Sequence, residues 1–404
     1  MEGRKTKLRA GAPEEVGMLP ERVAYARDLC ARWVNQGHTP TLGVCVARHG
    51  VIVLNEAFGI LGPGPESPLL AHDALFPIAS VTKAVTATLV MQLVEDGLLG
   101  LNRPVVDYLP ELSREGTEEM LVHHLLTHSS GYPWHSDPPM VDHLTKKTRA
   151  GFQPPPCLPG HHPTIHNYLS LFWDAPRVAA VGEVMIYSNF NYELLGEIVR
   201  RVSGRTIEAL ARERIFGPLG MDDSYYVVPE SESHRVVQRA RGLPGGDTID
   251  FFFPALGSRA MQEMPSAGGG IASTPLDMTI FCQTMLNQGR YGDARILSPA
   301  AVEAMTRDQI PGIKALLFGK VMERASYGYG WLVASPTKWK YFDGSLQSLG
   351  TFGHSGGGGS SIWIDRAHDL VGAYFEVATH ITEQWDFLWN FDLFQNVITS
   401  AVEG

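Results

Sequence analysis

Three short stretches carry residue types that could do nucleophilic chemistry. The first is Ala79-Ser80-Val81-Thr82-Lys83. A serine hydroxyl is a weak nucleophile until a base removes its proton. Ser80 and Lys83 are three apart, so on a helix they share a face and touch. At a helix N-terminus the unpaired N–H groups and the dipole favour developing negative charge. The same field, with partial burial, lowers a lysine pKa and lets the amine act as a base. Alone the tetrapeptide says little, because two fixed letters in four recur by chance, and an N-cap serine beside a solvated lysine is the bland reading. The second stretch is Tyr187-Ser188-Asn189, after the turn-like Ala180-Val181-Gly182-Glu183. A tyrosine beside a lysine cation holds its phenolate more readily and can shuttle a proton to a leaving group. Asn189 offers an amide that can orient Lys83 and bind a substrate carbonyl. The third is Gly353-His354-Ser355 followed by Gly356 to Gly359, which feeds a strand. Such a run lets backbone approach a ligand closely. The N–H of Gly357, paired with that of Ser80, would make an oxyanion hole.

Positioning these stretches requires particular elements. Residues 20–36 place Val23, Ala26, Leu29, Cys30, Trp33 and Val34 on one helical face, with Pro20 in the first turn. Residues 42–48 and 51–59 flank His49-Gly50 and read as a β-hairpin. Residues 80–96 form an amphipathic helix stopped by Gly97, and Gly268-Gly269-Gly270 reads as a tight entry into a helix over 275–288. The stretch 132–166 is rich in Pro and His and is expected to be irregular, a loop wall of the kind that shapes a binding site. Residues 357–365 and 370–378 read as a second hairpin. Residues 382–400 read as a closing helix with Trp385, Leu388, Phe391, Phe394 and Ile398 at helical spacing. Hairpins at both ends and helices between them predict an α/β (α+β) fold. Its antiparallel sheet would be built from 1–79 and 266–404, with a mainly helical domain over 80–265 and the active site in the cleft between them.

Composition excludes several classes. The 404 residues are 44% hydrophobic and 19% charged, which is globular rather than disordered. Net charge is −10, and the short basic stretch Arg4-Lys5-Lys7-Arg9 is no nucleic-acid footprint. No run approaches the length of a membrane span. The N-terminus has positive charge but no apolar stretch after it, so a cytoplasmic location is expected. Cys30, Cys45, Cys157 and Cys282 are scattered, which points to reduced thiols rather than disulfides or structural zinc. His124 and His128 stand at metal-ligand spacing, but position 125 is Leu, and both are read as structural. His161, His162 and His166 are read as a pocket wall rather than a metal patch. Trp134, Phe152, Trp173 and Phe251 to Phe253 are core by default, some of them candidates for an acyl pocket.

The order SVTK at 80, YSN at 187 and HSG at 354 resembles the serine β-lactamase and penicillin-binding protein superfamily. Its hallmark is SxxK, then YxN, then a (K/H)-(T/S)-G triplet. The chain is most similar to class C β-lactamases and their esterase relatives, the family VIII carboxylesterases. The stretches PEEVGM, HLLTHSSGY, GPLGMDDSYY, SAGGGIASTPLDM and YGYGW extend the likeness over nearly the whole chain. The resemblance implies that Ser80 is the acyl-forming nucleophile, Lys83 its base, Tyr187 a general base and acid, and Asn189 the substrate-orienting amide. It places Gly356 at the triplet glycine and Gly357 at the second oxyanion donor. His354 stands where β-lactamases and many peptidases carry lysine. A histidine there is only partly charged at neutral pH, which weakens the case for an acidic substrate. The expectation is a serine carboxylesterase acting on small neutral acyl esters, with no cofactor, no metal, no nucleic-acid partner and no membrane. The alternatives are a D-aminopeptidase, DD-peptidase or weak β-lactamase, an acyltransferase using the same acyl-enzyme, and a noncatalytic binding protein.

Overall fold

A computed structural model describes residues 5–247, 254–317, 320–335, 344–379 and 389–403. Its centre is a seven-stranded sheet drawn from both ends of the chain. The strands are β1 (Arg9–Ala10), β2 (Thr41–Arg48), β3 (Val51–Gly59), β4 (Leu332–Val333), β5 (Phe352–Gly356), β6 (Ser360–Asp365) and β7 (Leu370–Glu376). Their spatial order is β1-β3-β2-β7-β6-β5-β4. Every pair is antiparallel except the short β1 on β3. Both expected hairpins form. His49 and Gly50 turn the first with φ of 49° and 81°, the left-handed pair that matches strand twist.

Strand alternation divides the sheet into two faces. Phe352, Ile362, Ile364, Val371, Ala373 and Phe375 pack into the larger core, together with helix α2 (Thr82–Glu95) and helix α6 (Pro275–Leu286). Leu42, Val44, Trp363 and Tyr374 turn the other way. They meet helix α1 (Pro20–Asn35) and the closing helix α7 (Trp389–Thr399). Phe391 lies 5.6 Å from the Trp363 ring and Phe394 lies 5.2 Å from Tyr374. Each such burial contributes roughly 1.5–3 kcal/mol. Residues 382–388 of the expected last helix, and Phe251 to Phe253, lie outside the described residues.

One expectation is corrected. The Pro-rich stretch 132–166 is not wholly irregular, because helix α3 spans Pro138–Arg149 and helix α4 begins at Pro163 and runs to Phe172. Pro138 and Pro163 each take the first helical position, where a missing N–H costs nothing. The same prolines that suggested a loop are therefore start signals. Helix α5 (Asn189–Ser203) packs on α2 and completes the frame of the site.

Candidate active site

Ser80 lies in a single 3₁₀ turn, Ala79–Val81, that leads directly into α2. Ala79 is left-handed at φ 45°, a strained conformation for a residue with a Cβ. The turn is held by Phe76-Pro77, which pair with Ala272-Ser273. The Ile78 N–H donates to the Ile271 carbonyl at 2.9 Å. That pairing carries the glycine run 268–270 alongside the serine. A Cβ on Gly270 would lie 2.6 Å from the Ser266 nitrogen, so the close fold-back requires glycine there.

Lys83 occupies the first turn of α2 and is fully buried. Its Nζ donates to Asn189 Oδ1 at 2.8 Å and to the Gly268 carbonyl at 2.7 Å, and it lies 3.0 Å from Ser80 Oγ. Burial lowers its pKa to about 7, against an opposing pull from Glu193. Two of the three contacts can only accept. A neutral amine therefore gives its two N–H bonds to Asn189 and Gly268 and turns its lone pair to the Ser80 hydroxyl. The Nζ also sits 4.9 Å above the Tyr187 ring and 5.4 Å from that of Tyr192.

Tyr187 and Asn189 reach the site from the segment that opens α5. The Ser188 N–H donates to His128 Nδ1 at 3.1 Å, and Ser188 Oγ donates to the Pro133 carbonyl at 2.8 Å. The His128 ring lies 4.4 Å from that of Tyr187. Burial pushes the Tyr187 pKa above the ordinary phenol value, which corrects the expectation of a readily held phenolate. The neighbouring Ser80 side chain pulls that pKa down a little. Desolvation penalises the anion more than the Ser80 hydroxyl favours it, so this phenol keeps its proton at neutral pH.

His354 is also corrected. It is 2% exposed, and its pKa falls to about 3 through burial and the nearby Lys83. Its Nδ1–H donates to the Ser355 carbonyl at 2.8 Å. Nε2 therefore accepts, and the Tyr327 hydroxyl lies 3.1 Å from it. The ring is locked and neutral rather than partly charged.

Strand β5 runs against the Ser80 turn. A Cβ on Gly356 would lie 2.2 Å from the Ile78 carbonyl and 3.1 Å from the Ser80 nitrogen, so only glycine lets the strand approach. Gly357 opens the tip that joins β5 to β6, where a Cβ would meet nothing within 4 Å. The Gly356 carbonyl accepts from the Gly359 N–H at 3.2 Å, inside the tip. Because a trans peptide sets N–H opposite C=O, the Gly357 N–H points out of the tip.

Sequence reading missed Glu193. It lies one turn beyond Asn189 on α5 and is 1% exposed. Its carboxylate accepts from Ser266 Oγ at 2.5 Å, Gly268 N–H at 3.1 Å and Ala267 N–H at 3.3 Å. It thereby fixes the segment whose Gly268 carbonyl holds Lys83. The i,i+4 spacing from Asn189 is the signal that could have found it. His161 and His162 line a cavity of about 360 Å³, together with Glu197 and Glu208, whereas His166 is outside that lining and bonds to the Pro155 carbonyl at 2.9 Å. Among the described residues no group of three or more His, Cys, Asp and Glu is placed to hold a metal ion.

The model of the family described as Beta-lactamase matches residues 21–384. A curated Escherichia coli O157:H7 protein named "Putative D-alanyl-D-alanine carboxypeptidase" is 26% identical, over 90% of this chain and 84% of its own. A penicillin-binding protein homologue from Caulobacter crescentus superposes with a TM-score of 0.72 at 22% identity, covering 95% of this chain and 98% of that one. EstCE1, a hydrolase with promiscuous acyltransferase activity, superposes at 0.70 with 19% identity, covering 95% and 99%. The family match takes in Ser80, Lys83, Tyr187 and His354 in one span, and the solved relatives share the sheet-and-helix plan that brings them together: the chain belongs to the Beta-lactamase family, within the serine β-lactamase and penicillin-binding protein superfamily.

Proposed function

We propose that this chain hydrolyses small neutral acyl esters through an acyl-enzyme on Ser80. Lys83 takes the Ser80 proton as Oγ bonds to the ester carbonyl carbon. The N–H groups of Ser80 and Gly357 hold the oxyanion. The C–O bond to the alcohol then breaks, and Tyr187 protonates the leaving oxygen. The Lys83 ammonium gives its proton up to the Tyr187 phenolate oxygen, which restores the phenol and the neutral amine. Water then attacks the acyl carbon, giving one proton to Lys83. Oγ leaves and recovers that proton, so acid, alcohol and resting enzyme result. Asn189 orients Lys83 and the substrate carbonyl.

The observation that carries the ester reading is the neutral, doubly bonded His354. A substrate carboxylate would find no cation at that position, so a neutral ester loses nothing there. The peptidase reading is favoured by one specific fact, the name carried by the Escherichia coli relative. The fold shared with EstCE1 is compatible with an alcohol replacing water as acyl acceptor.

The test is a substrate panel of p-nitrophenyl acetate, butyrate and octanoate, nitrocefin, and a diacylated Lys-D-Ala-D-Ala peptide. Ester turnover well above the other two, and absent in Ser80→Ala, is expected. Faster peptide or nitrocefin turnover would replace the esterase reading with a peptidase or β-lactamase one. Ester turnover that survives Ser80→Ala would remove the site assignment itself.

A further inference from the structure

The tip between β5 and β6 is three consecutive glycines, Gly357 to Gly359. Gly358 and Gly359 adopt φ of 92° and 112°, which only glycine takes at low cost. Such a tip has more backbone freedom than any other sequence would give it. An oxyanion donor works only if it is already aimed before charge develops. Something outside the hairpin must therefore hold it.

Arg239 meets that need. It comes from the segment after Val236-Val237 and is 8% exposed. Its Nη1 donates to the Gly358 carbonyl at 2.7 Å, with the Pro244 carbonyl 3.4 Å away. The Glu376 carbonyl lies 3.5 Å from Nη2. A Cβ on Gly358 would fall 2.9–3.0 Å from the guanidinium carbon and both terminal nitrogens. The plane thus lies flat on the glycine, and a side chain there would have to push the guanidinium aside. The Gly358 carbonyl accepts a second bond from the Ala378 N–H at 3.0 Å, and the Glu376 N–H donates to the Gly359 carbonyl at 2.9 Å. Gly359 is packed as tightly, since a Cβ there would meet Glu376 at 2.7 Å. The Glu376 side chain is 3% exposed and receives the Tyr374 hydroxyl at 2.7 Å.

A buried guanidinium gives up its hydration, a loss that the groups it touches must offset. Here the cation is placed on the carbonyl next to the proposed oxyanion donor. With Gly358 C=O turned down onto Arg239, and Gly359 N–H tied back to Gly356, the Gly357 N–H keeps one direction.

We propose that Arg239 is a positioning residue for the oxyanion hole, clamping Gly358 so that the Gly357 N–H stays aimed at the acyl oxygen. This rests on the Ser80 acyl-enzyme reading above. It makes Arg239 a determinant of kcat through Gly358, with its hydrogen bonds going to backbone carbonyls rather than to Ser80.

The test compares Arg239→Met, which keeps bulk without donors, with Arg239→Lys, which keeps charge and one donor direction. Folding is followed by circular dichroism and thermal melting. Turnover is measured on p-nitrophenyl butyrate, and Ser80 modification with a p-nitrophenyl alkylphosphonate, whose tetrahedral adduct needs the same hole. For folded Arg239→Met, kcat is expected to fall about 10–100-fold, up to the loss of one donor, with KM within about twofold. Phosphonylation should slow in parallel, and Arg239→Lys should recover part of both. Wild-type kcat in folded Arg239→Met overturns the proposal, as does a loss that only tracks the unfolded fraction. If Arg239→Met does not fold, Arg239→Lys decides: kcat several-fold low at unchanged KM supports the clamp, and wild-type kcat removes it. Ser80→Ala keeps the two failures apart. Residual turnover there defeats the acyl-enzyme reading, whereas a dead Ser80→Ala beside fully active Arg239 variants defeats only the clamp.

Discussion

Lysines are mostly exposed, and Lys83 is not. Its amine is wholly enclosed, and burial outweighs the attraction of Glu193. The ammonium is the form penalised, so protons leave it near neutrality. If Lys83 is the base that activates Ser80, its neutral form must be the active one. Then kcat/KM on a neutral ester climbs about tenfold per pH unit below about 7 and levels above it. Lys83→Ala should lower kcat roughly 10²–10⁴-fold across the whole range. A pH-independent profile between 5 and 9 would contradict this. Tyr187 contributes no limb in that window, because burial has moved it upward and it stays protonated throughout. That Ser80, Lys83, Tyr187 and Asn189 come together was legible in the sequence from their type, spacing and order. The charge states of Tyr187 and His354 were not. They depend on burial, and burial belongs to the tertiary fold.

Elements bring these residues into register. The 3₁₀ turn before α2 presents Ser80, α2 presents Lys83, α5 presents Asn189 and Glu193, and β5 lays Gly356 against the Ser80 turn. Glu193 ties α5 to the 266–268 segment with three accepted hydrogen bonds. Burial raises the Glu193 pKa against these bonds, and in its charged form the carboxylate raises the pKa of Lys83. Glu193→Gln removes that charge while keeping an acceptor, so the acid limb of the pH profile should move below 7. Glu193→Ala strands donors that are buried, at about 1–3 kcal/mol for each unsatisfied group, so its melting temperature should drop well below that of Glu193→Gln. An unmoved or raised inflection in Glu193→Gln would break the link between this carboxylate and the lysine. The hairpins, α1 and α6 were readable from alternation, helical spacing and turn residues. Helix α3 was not, because a Pro-rich stretch carries the same letters whether it ends a helix or starts one. Arg239 escaped altogether, since nothing local to its sequence marks it, and its partners lie 119 and 137 residues away.

At the scale of the molecule, the two ends of the chain meet in one sheet. Helices α1 and α7 cover the face away from the site, and α2 and α6 cover the face that carries it. This division lets the sheet serve as a rigid wall, with Gly356 and the Gly357 tip at its edge beside Ser80. Among the described residues no helix is long and apolar enough to cross a membrane. A net charge of −10 sets no attractive field for an anionic substrate, in keeping with neutral esters as the proposed class.

The central claim is a covalent acyl group on Ser80, and intact-protein mass spectrometry tests it most directly. Enzyme quenched in acid during turnover of p-nitrophenyl butyrate should gain the mass of one butyryl group. Peptide mapping should place that group on Ser80, and Ser80→Ala should gain nothing. A butyryl adduct on another residue, or turnover with no adduct even in a variant slowed at deacylation, would contradict the account.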